Sequence, residues 1–229
     1  MKIPRVIYRT FQTTSIPWIA RCHGWIIRAR NPRYRLEFFD DAAVASFLAE
    51  EFPPRYLAAF RKLRVGAGKA DLFRYAPLYK RGGVYLDLDA MIHVNLDDLI
   101  QPDDEAVLSM EQNACPDTGH PLFLQWALMY APGHPFLERA LEMVLDNVEN
   151  SRFPHDLHRA TGPTLYTKAV RESLQADPDL PHRIVGVDYD GGLSCAWFLK
   201  SRLKKRMDRT SPGWVEFEKR SPIYHTCET

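Results

Sequence analysis

Two aspartates separated by one residue stand out in Gly82-Gly83-Val84-Tyr85-Leu86-Asp87-Leu88-Asp89-Ala90. Strand side chains alternate with period two, so Tyr85, Asp87 and Asp89 are expected on one side and Val84, Leu86 and Leu88 on the other. Two carboxylates at ~5 Å repel by ~3 kcal/mol at an effective dielectric near 20, and a divalent cation would offset that. Carboxylate oxygens are hard ligands suited to Mg²⁺ or Mn²⁺, and a pair of them leaves coordination positions open for substrate phosphates. Such tripeptides are common, and this one alone reads first as two solvated turn residues beyond the end of a strand.

Upstream, Asp71 and Arg74 lie three apart in Lys69 to Lys80, a segment that reads as a helix with apolar residues at 70, 72, 73, 75, 76, 78 and 79. That is too many for one stripe, so the helix is expected to be mostly buried. A surface pair at this spacing contributes roughly 0–1 kcal/mol and needs no function. In a buried helix a carboxylate and a guanidinium are costly unless both line a polar cleft. Asp71 would there accept hydroxyl hydrogen bonds and Arg74 donate to oxygens, beside a metal-bound phosphate.

These residues need a scaffold. Strands are expected at Ile3 to Tyr8, Tyr34 to Phe39, Val84 to Leu88, Val107 to Met110, Ala127 to Tyr130 and Ile184 to Val187. Helices are expected at Ala42 to Glu51, capped by Asp40-Asp41, and at Arg55 to Leu63, Phe136 to Val148 and Pro163 to Leu174. Arg81-Gly82-Gly83 should end the buried helix, and Pro77 should kink or shorten it. The alternation argues for an α/β fold with a mainly parallel sheet, in one domain over residues 1–229. Lys plus Arg number 30 against 29 Asp plus Glu, so a nucleic-acid binder is not indicated. The four cysteines form no Cys-x-x-Cys pair, and no run approaches the ~20 apolar residues of a membrane span. The expectation is a cytoplasmic protein, soluble or peripheral to a membrane.

The block Lys69-Ala70-Asp71-Leu72-Phe73-Arg74-Tyr75, with Leu78-Tyr79 and Gly82 to Asp89, resembles the sugar-binding region of the DXD-containing glycosyltransferases of family 32. Fungal α-mannosyltransferases and bacterial polysaccharide enzymes belong to that family. Weaker likenesses fall in order along the chain: Ile3-Pro4-Arg5-Val6-Ile7 with Thr10-Phe11, Asn31-Pro32-Arg33-Tyr34, Pro132 to Phe136 and Thr161-Gly162-Pro163. The resemblance implies a GT-A fold, a UDP- or GDP-linked hexose donor, a glycan or glycolipid acceptor and retention of anomeric configuration. It implies Mn²⁺ or Mg²⁺ on Asp87 and Asp89, Leu88 between them in the donor site, and Asp71 and Arg74 against the donor sugar. Tyr8, Thr10 and Phe11 would contact the donor, although Tyr8-Arg9-Thr10-Phe11 departs from the family's His-Gln-Thr-Trp pattern. His225 is a candidate third metal ligand.

Other features carry less. Lys200, Arg202, Lys204, Lys205, Arg206 and Arg209 form a basic cluster that could meet a diphosphate or a membrane surface, or simply face solvent. His120 and His134 precede prolines and should shape loops. Trp18 and Trp25 read as buried aromatics rather than stacking partners. Glu111 and Gln112 are possible acceptor-side groups, and the direction of Gln125 is open. Two other functions stay in view: a phosphohydrolase of the haloacid dehalogenase type, which also places Asp-x-Asp after a strand, and a silent nucleotide-sugar-binding module.

Overall fold

The computed structural model describes residues 1–114, 119, 121–195 and 214–225. The basic cluster from Lys200 to Arg209, His120 and the Gln112 side chain lie outside the described residues. In chain order the elements are β1 (Val6–Thr10), α1 (Trp18–Arg30), β2 (Arg35–Phe39), α2 (Asp41–Glu51), α3 (Pro54–Lys62), α4 (Gly66–Arg81), β3 (Gly83–Leu86), β4 (Ala90–Ile92) and α5 (Leu96–Leu99). There follow β5 (Ala106–Ala114), β6 (Pro121–Phe123), β7 (Ala127–Tyr130), α6 (Pro135–Glu149), α7 (Leu157–Ala160), α8 (Pro163–Ala176), β8 (Arg183–Val187), β9 (Leu193–Cys195) and α9 (Trp214–Arg220).

The central sheet runs β2-β1-β3-β7-β5-β6, with β8 on β5. β1 pairs in parallel with β2 and β3, and β5 with β8, whereas β7 is antiparallel to β3 and β5, and β6 to β5. Five of the seven strands (β1, β2, β3, β5, β8) therefore point one way, which fits the α/β expectation. Their carboxyl ends share one edge. The order reverses direction between β1 and β3, and crevices at such switch points are where open α/β sheets place ligands.

Helices close the sheet on one side with a large core that includes Phe47, Leu72, Phe73, Phe136, Leu141 and Tyr166. A smaller core on the other side holds Ile7, Val84, Leu96 and Met129. The expected caps form: Asp40 accepts from the Ala43 N–H at 2.8 Å, and Pro135 opens α6 from the His134 cap. α4 runs unbroken through Pro77, because the packing around it outweighs one lost hydrogen bond.

α4 turns into β3 over two glycines that no other residue could replace. Gly82 has φ +66°, and a Cβ there would lie 2.8 Å from the Pro132 nitrogen. Gly83 has φ +119°, and a Cβ would lie 2.8 Å from the Val6 carbonyl. The tight turn delivers the chain from the buried helix straight into the strand that carries the aspartates. β3 then stops at Leu86, two residues before the expected end, and Asp87-Leu88-Asp89 forms a turn closed by Ala90 N–H to Asp87 O at 3.0 Å.

Candidate active site

The turn after β3 holds Asp87 and Asp89, both half-buried, at the carboxyl edge of the sheet. They are not simply solvated. Tyr85 OH donates to Asp87 Oδ1 at 2.8 Å, and Arg74 Nη2 lies 3.2 Å from the same oxygen. The period-two reasoning thus puts Tyr85 and Asp87 together although the strand has ended. Both bonds fall on Oδ1, which leaves Oδ2 as the oxygen through which Asp87 can reach a cation.

Arg74 is the centre of the cluster. It is 5% exposed, as is Asp71. Nη2 also pairs with Asp71 Oδ1 at 3.1 Å, Nη1 donates to Gln125 O at 2.9 Å, Nε donates to Ala70 O at 3.4 Å, and the guanidinium lies over the Tyr85 ring. Three of its five N–H groups are committed to hydrogen bonds inside the protein, and the Asp71 carboxylate adds an ion pair. Arg74 therefore orients two carboxylates. Burial acts against its charge, and the carboxylates of Asp87 and Asp71 more than offset it, so the guanidinium is held above its usual range.

Asp71 reaches the cluster from the same helix face. Thr161 Oγ1 donates to its Oδ2 at 2.6 Å from a loop 90 residues away. Burial pushes the Asp71 carboxyl upward, against Arg74 and Thr161, which pull it down. Burial likewise raises Asp87, with Asp89 adding to the rise and Arg74 opposing it. A cation at this turn would relieve the repulsion between Asp87 and Asp89. Gln125 points inward: Nε2 donates to Tyr75 OH and, at 3.1 Å, to Thr161 O. It joins the loop bearing Thr161 to the strand side of the site.

Arg9 lies beneath the aspartate turn. It is 3% exposed, and Nη2 donates to the carbonyls of Leu88 and, at 3.3 Å, of Asp87, while Nη1 reaches Ala20 O at 3.4 Å. Its Nε is buried without a partner among the described residues. Burial lowers its pKa to about 10, with Tyr85, Asp87 and Asp89 acting in the opposite sense. Arg9 thus fixes the turn's backbone and places a positive charge behind its two acids. Arg9→Met is expected to weaken apparent Mn²⁺ affinity about tenfold, the loss of ~1.5 kcal/mol from charge-assisted bonds, and Arg9→Lys to restore less than half of it. Mn²⁺ titration followed by melting temperature checks this, and an unchanged titration would remove Arg9 from the site.

The other expected donor contacts divide. Tyr8 is 1% exposed and packs in the core against Phe39 and Gly83, so it does not line the cleft. Thr10 and Phe11 sit half-buried at the carboxyl end of β1, tied to Phe39 O by the Thr10 hydroxyl at 2.9 Å and the Phe11 N–H at 3.2 Å. Leu88 contributes its carbonyl to Arg9. His225 is exposed, with its N–H on Lys62 O at 2.8 Å. Among the described residues no three His, Cys, Asp or Glu side chains form a metal-holding group, so His225 is not assembled with Asp87 and Asp89. Among the described residues the turn offers two carboxylates, which suits a hard cation that takes further oxygen ligands from a diphosphate or water. His134 caps α6 through Nδ1 and meets Pro181 O through Nε2, a loop-shaping role. Trp18 and Trp25 are 65% and 67% exposed, not buried as their type suggested.

Glu111 lies on β5 at the same sheet edge, half-buried, and accepts the Gln125 N–H. Burial first and then the Asp188 carboxylate push its pKa up to about 7, with Asp87 adding and Arg74 opposing. A carboxyl raised in the folded state stabilises fully below its unfolded pKa, and that contribution is lost as pH rises through the folded value. The melting temperature of Glu111→Gln should therefore match the parent near pH 4, gain on it between about pH 4.5 and 7, and stay ahead by a constant margin above. Parallel melting curves across that range would argue against the buried assignment.

Comparisons with known proteins bear on the fold and on the segment that carries these residues. Residues 18–106 match the family described as glycosyltransferase sugar-binding region containing DXD motif. The inositol phosphoceramide mannosyltransferase 3 of Schizosaccharomyces pombe is 28% identical over 181 residues, covering 77% of this chain and 47% of that protein. The chain thus spans about half the length of that curated relative. The solved PaToxG glycosyltransferase superposes with a TM-score of 0.61 at 15% identity, over 78% of this chain and 73% of that one. The UDP-bound glycosyltransferase domain of the YGT toxin gives 0.56 at 9% identity, over 90% and 86%. At such identities the likeness is one of fold, and that fold is the GT-A type. No helix among the described residues is long and apolar enough to cross a membrane. The segment that holds Asp71, Arg74, Asp87 and Asp89 lies within residues 18–106, the part of this chain that is similar to the glycosyltransferase sugar-binding region containing DXD motif.

Proposed function

We propose that the protein transfers a hexose from a nucleoside-diphosphate sugar to a hydroxyl of a glycan or glycolipid, with retention at the anomeric carbon. Mn²⁺ or Mg²⁺ would be held by Asp87 and Asp89. The observation that carries this reading is the chain Asp71–Arg74–Asp87, in which one buried guanidinium holds a helix carboxylate and a turn carboxylate at 3.1 and 3.2 Å. A pure scaffold has no use for two carboxylates converging beside a third at a sheet's switch point.

When bound, the cation supplies Lewis-acid stabilisation of the departing nucleoside diphosphate. Arg74 and Tyr85 hold Asp87 so that its second oxygen is presented to that cation. Asp71, fixed by Arg74 and Thr161, keeps lone pairs for a sugar hydroxyl and places negative charge near a ring that turns cationic in the transition state. Thr10 and Phe11, at the end of β1, lie at the edge where the nucleotide would rest. The fungal relative is a mannosyltransferase, which makes mannose the first sugar to test, and the toxin domain binds UDP, which makes it the first alternative nucleotide.

The experiment is release of free nucleoside diphosphate from GDP-mannose, UDP-glucose and related donors, with Mn²⁺ and with chelator. The expected result is release from at least one donor that chelator abolishes. Inorganic phosphate from phosphomonoesters would indicate a phosphohydrolase instead, and donor binding without release a silent module.

A further inference from the structure

α1 presents a surface that the donor site does not use. Its sequence, Trp18-Ile19-Ala20-Arg21-Cys22-His23-Gly24-Trp25-Ile26-Ile27-Arg28-Ala29-Arg30, contains three arginines and no acid. Ala20, His23, Gly24 and Ile27 face inward and are buried. Trp18, Trp25 and Ile26 face outward at 65%, 67% and 40% exposure, with Cys22 half-buried and Ala29 exposed in the same arc. Arg21 and Arg28, both exposed, flank that arc on one side at helical spacing from each other. Neither meets a carboxylate among the described residues.

We infer that this face of α1 docks on an anionic lipid bilayer, with Trp18, Trp25 and Ile26 entering the headgroup boundary and Arg21 and Arg28 facing lipid phosphates. Two exposed indoles on one stripe, about 10 Å apart along the helix axis, are an arrangement that water disfavours and an interface accepts. An apolar arc edged by arginines is the pattern of helices that lie in the plane of a membrane surface. The charge decides the occupant: with no acid on the helix and, among the described residues, no carboxylate on the two guanidiniums beside the indoles, the complementary surface is negative and apolar together. A neutral or basic protein partner offers only half of that.

The position of the helix gives the contact a consequence. The Ala20 carbonyl accepts from Arg9, and the same guanidinium holds the Leu88 carbonyl in the aspartate turn. A bilayer against α1 would therefore lie next to the carboxyl edge of the sheet, where an acceptor carried by a lipid could enter. The docking surface stands on α1 alone and holds whether or not the hexosyl transfer proposed above is correct.

The test is co-sedimentation with vesicles of phosphatidylcholine and of phosphatidylcholine mixed with phosphatidylinositol. The parent protein is expected to pellet with the anionic vesicles and to stay in solution with the neutral ones, and added salt should release it. Trp18→Ala/Trp25→Ala and Arg21→Glu/Arg28→Glu should each lower partitioning at least tenfold. Both change exposed residues, so melting temperature and Mn²⁺-dependent donor binding should match the parent, which separates this surface from the donor site. A parent protein that binds neither vesicle, or a tryptophan double variant that binds as the parent does, would overturn the inference. So would a parent that is a dimer by sedimentation equilibrium and becomes monomeric in the tryptophan double variant, since the face would then be covered by a second copy.

Discussion

Asp87→Asn is expected to lose Mn²⁺-dependent binding of a nucleoside-diphosphate sugar by about 10²–10³-fold, while the protein without metal keeps its fold. The size follows from removing one of two anionic ligands, a loss on the order of 3–4 kcal/mol of cation and phosphate stabilisation. The fold survives because asparagine retains an oxygen where Oδ1 accepts from Tyr85 and Arg74. Arg74 still has Asp71 at 3.1 Å, so no buried charge is stranded. The measurement is the melting temperature with and without Mn²⁺ and donor. The parent should gain several degrees on addition of both, and the variant almost none. A variant that gains as much as the parent would take Asp87 out of the metal site.

Arg74→Met should have the larger effect on stability. It strands Asp71 and Asp87, one at 7% and the other at 29% side-chain exposure, without the guanidinium that neutralises them. Breaking a buried ion pair in this way costs about 3–5 kcal/mol, which for a chain of this size lowers the melting temperature by about 6–20 °C. The loss also depends on pH. Asp71 is already raised by burial, and without Arg74 it rises further. A carboxyl raised in the folded state stabilises at low pH and loses that contribution as pH climbs through its folded value. The gap between parent and variant should therefore be smallest near pH 4 and widen toward neutrality. Arg74→Lys keeps a charge but not the planar fork that spans two carboxylates and the Gln125 carbonyl, so it should recover only part of the loss. Equal melting temperatures for parent and Arg74→Met at neutral pH would mean that the cluster does not organise this region.

The convergence of Asp71, Arg74 and Asp87 was legible because its parts are local. Asp71 and Arg74 are three residues apart on one helix, the glycines that end it are adjacent, and Asp87 follows one strand later. Short-range chemistry also marked Asp40 as a cap and Pro135 as a helix start. The partners that complete the site were not legible, since their contacts close over long stretches of chain. Thr161 meets Asp71 across 90 residues, and Arg9 meets Leu88 across 79. Glu111 reads from the sequence as a possible acceptor-side group, but its raised pKa comes first from burial and then from Asp188, a residue that the β5–β8 pairing brings near.

The fold shows the same division. α1 gave no helix signal: Pro17 caps it without a side-chain bond, Gly24 sits in its middle, and its two tryptophans look like core residues yet face outward. β4, β6 and β9 are three residues long, too short for alternation to appear. The strand before the aspartates was read two residues too far because Leu88 continues the alternation. The chain leaves the strand's course as the Asp87 N–H bonds Trp126 O at 2.9 Å and the turn closes on itself.

The most direct test of the whole account is anomalous scattering from crystals soaked with Mn²⁺ and a nucleoside diphosphate. The expected map has one manganese peak in ligand contact with the carboxylates of Asp87 and Asp89 and with oxygens of both phosphates. A peak elsewhere, or a diphosphate seated while both side chains turn away from it, would contradict the claim that this turn holds the leaving group of a sugar donor.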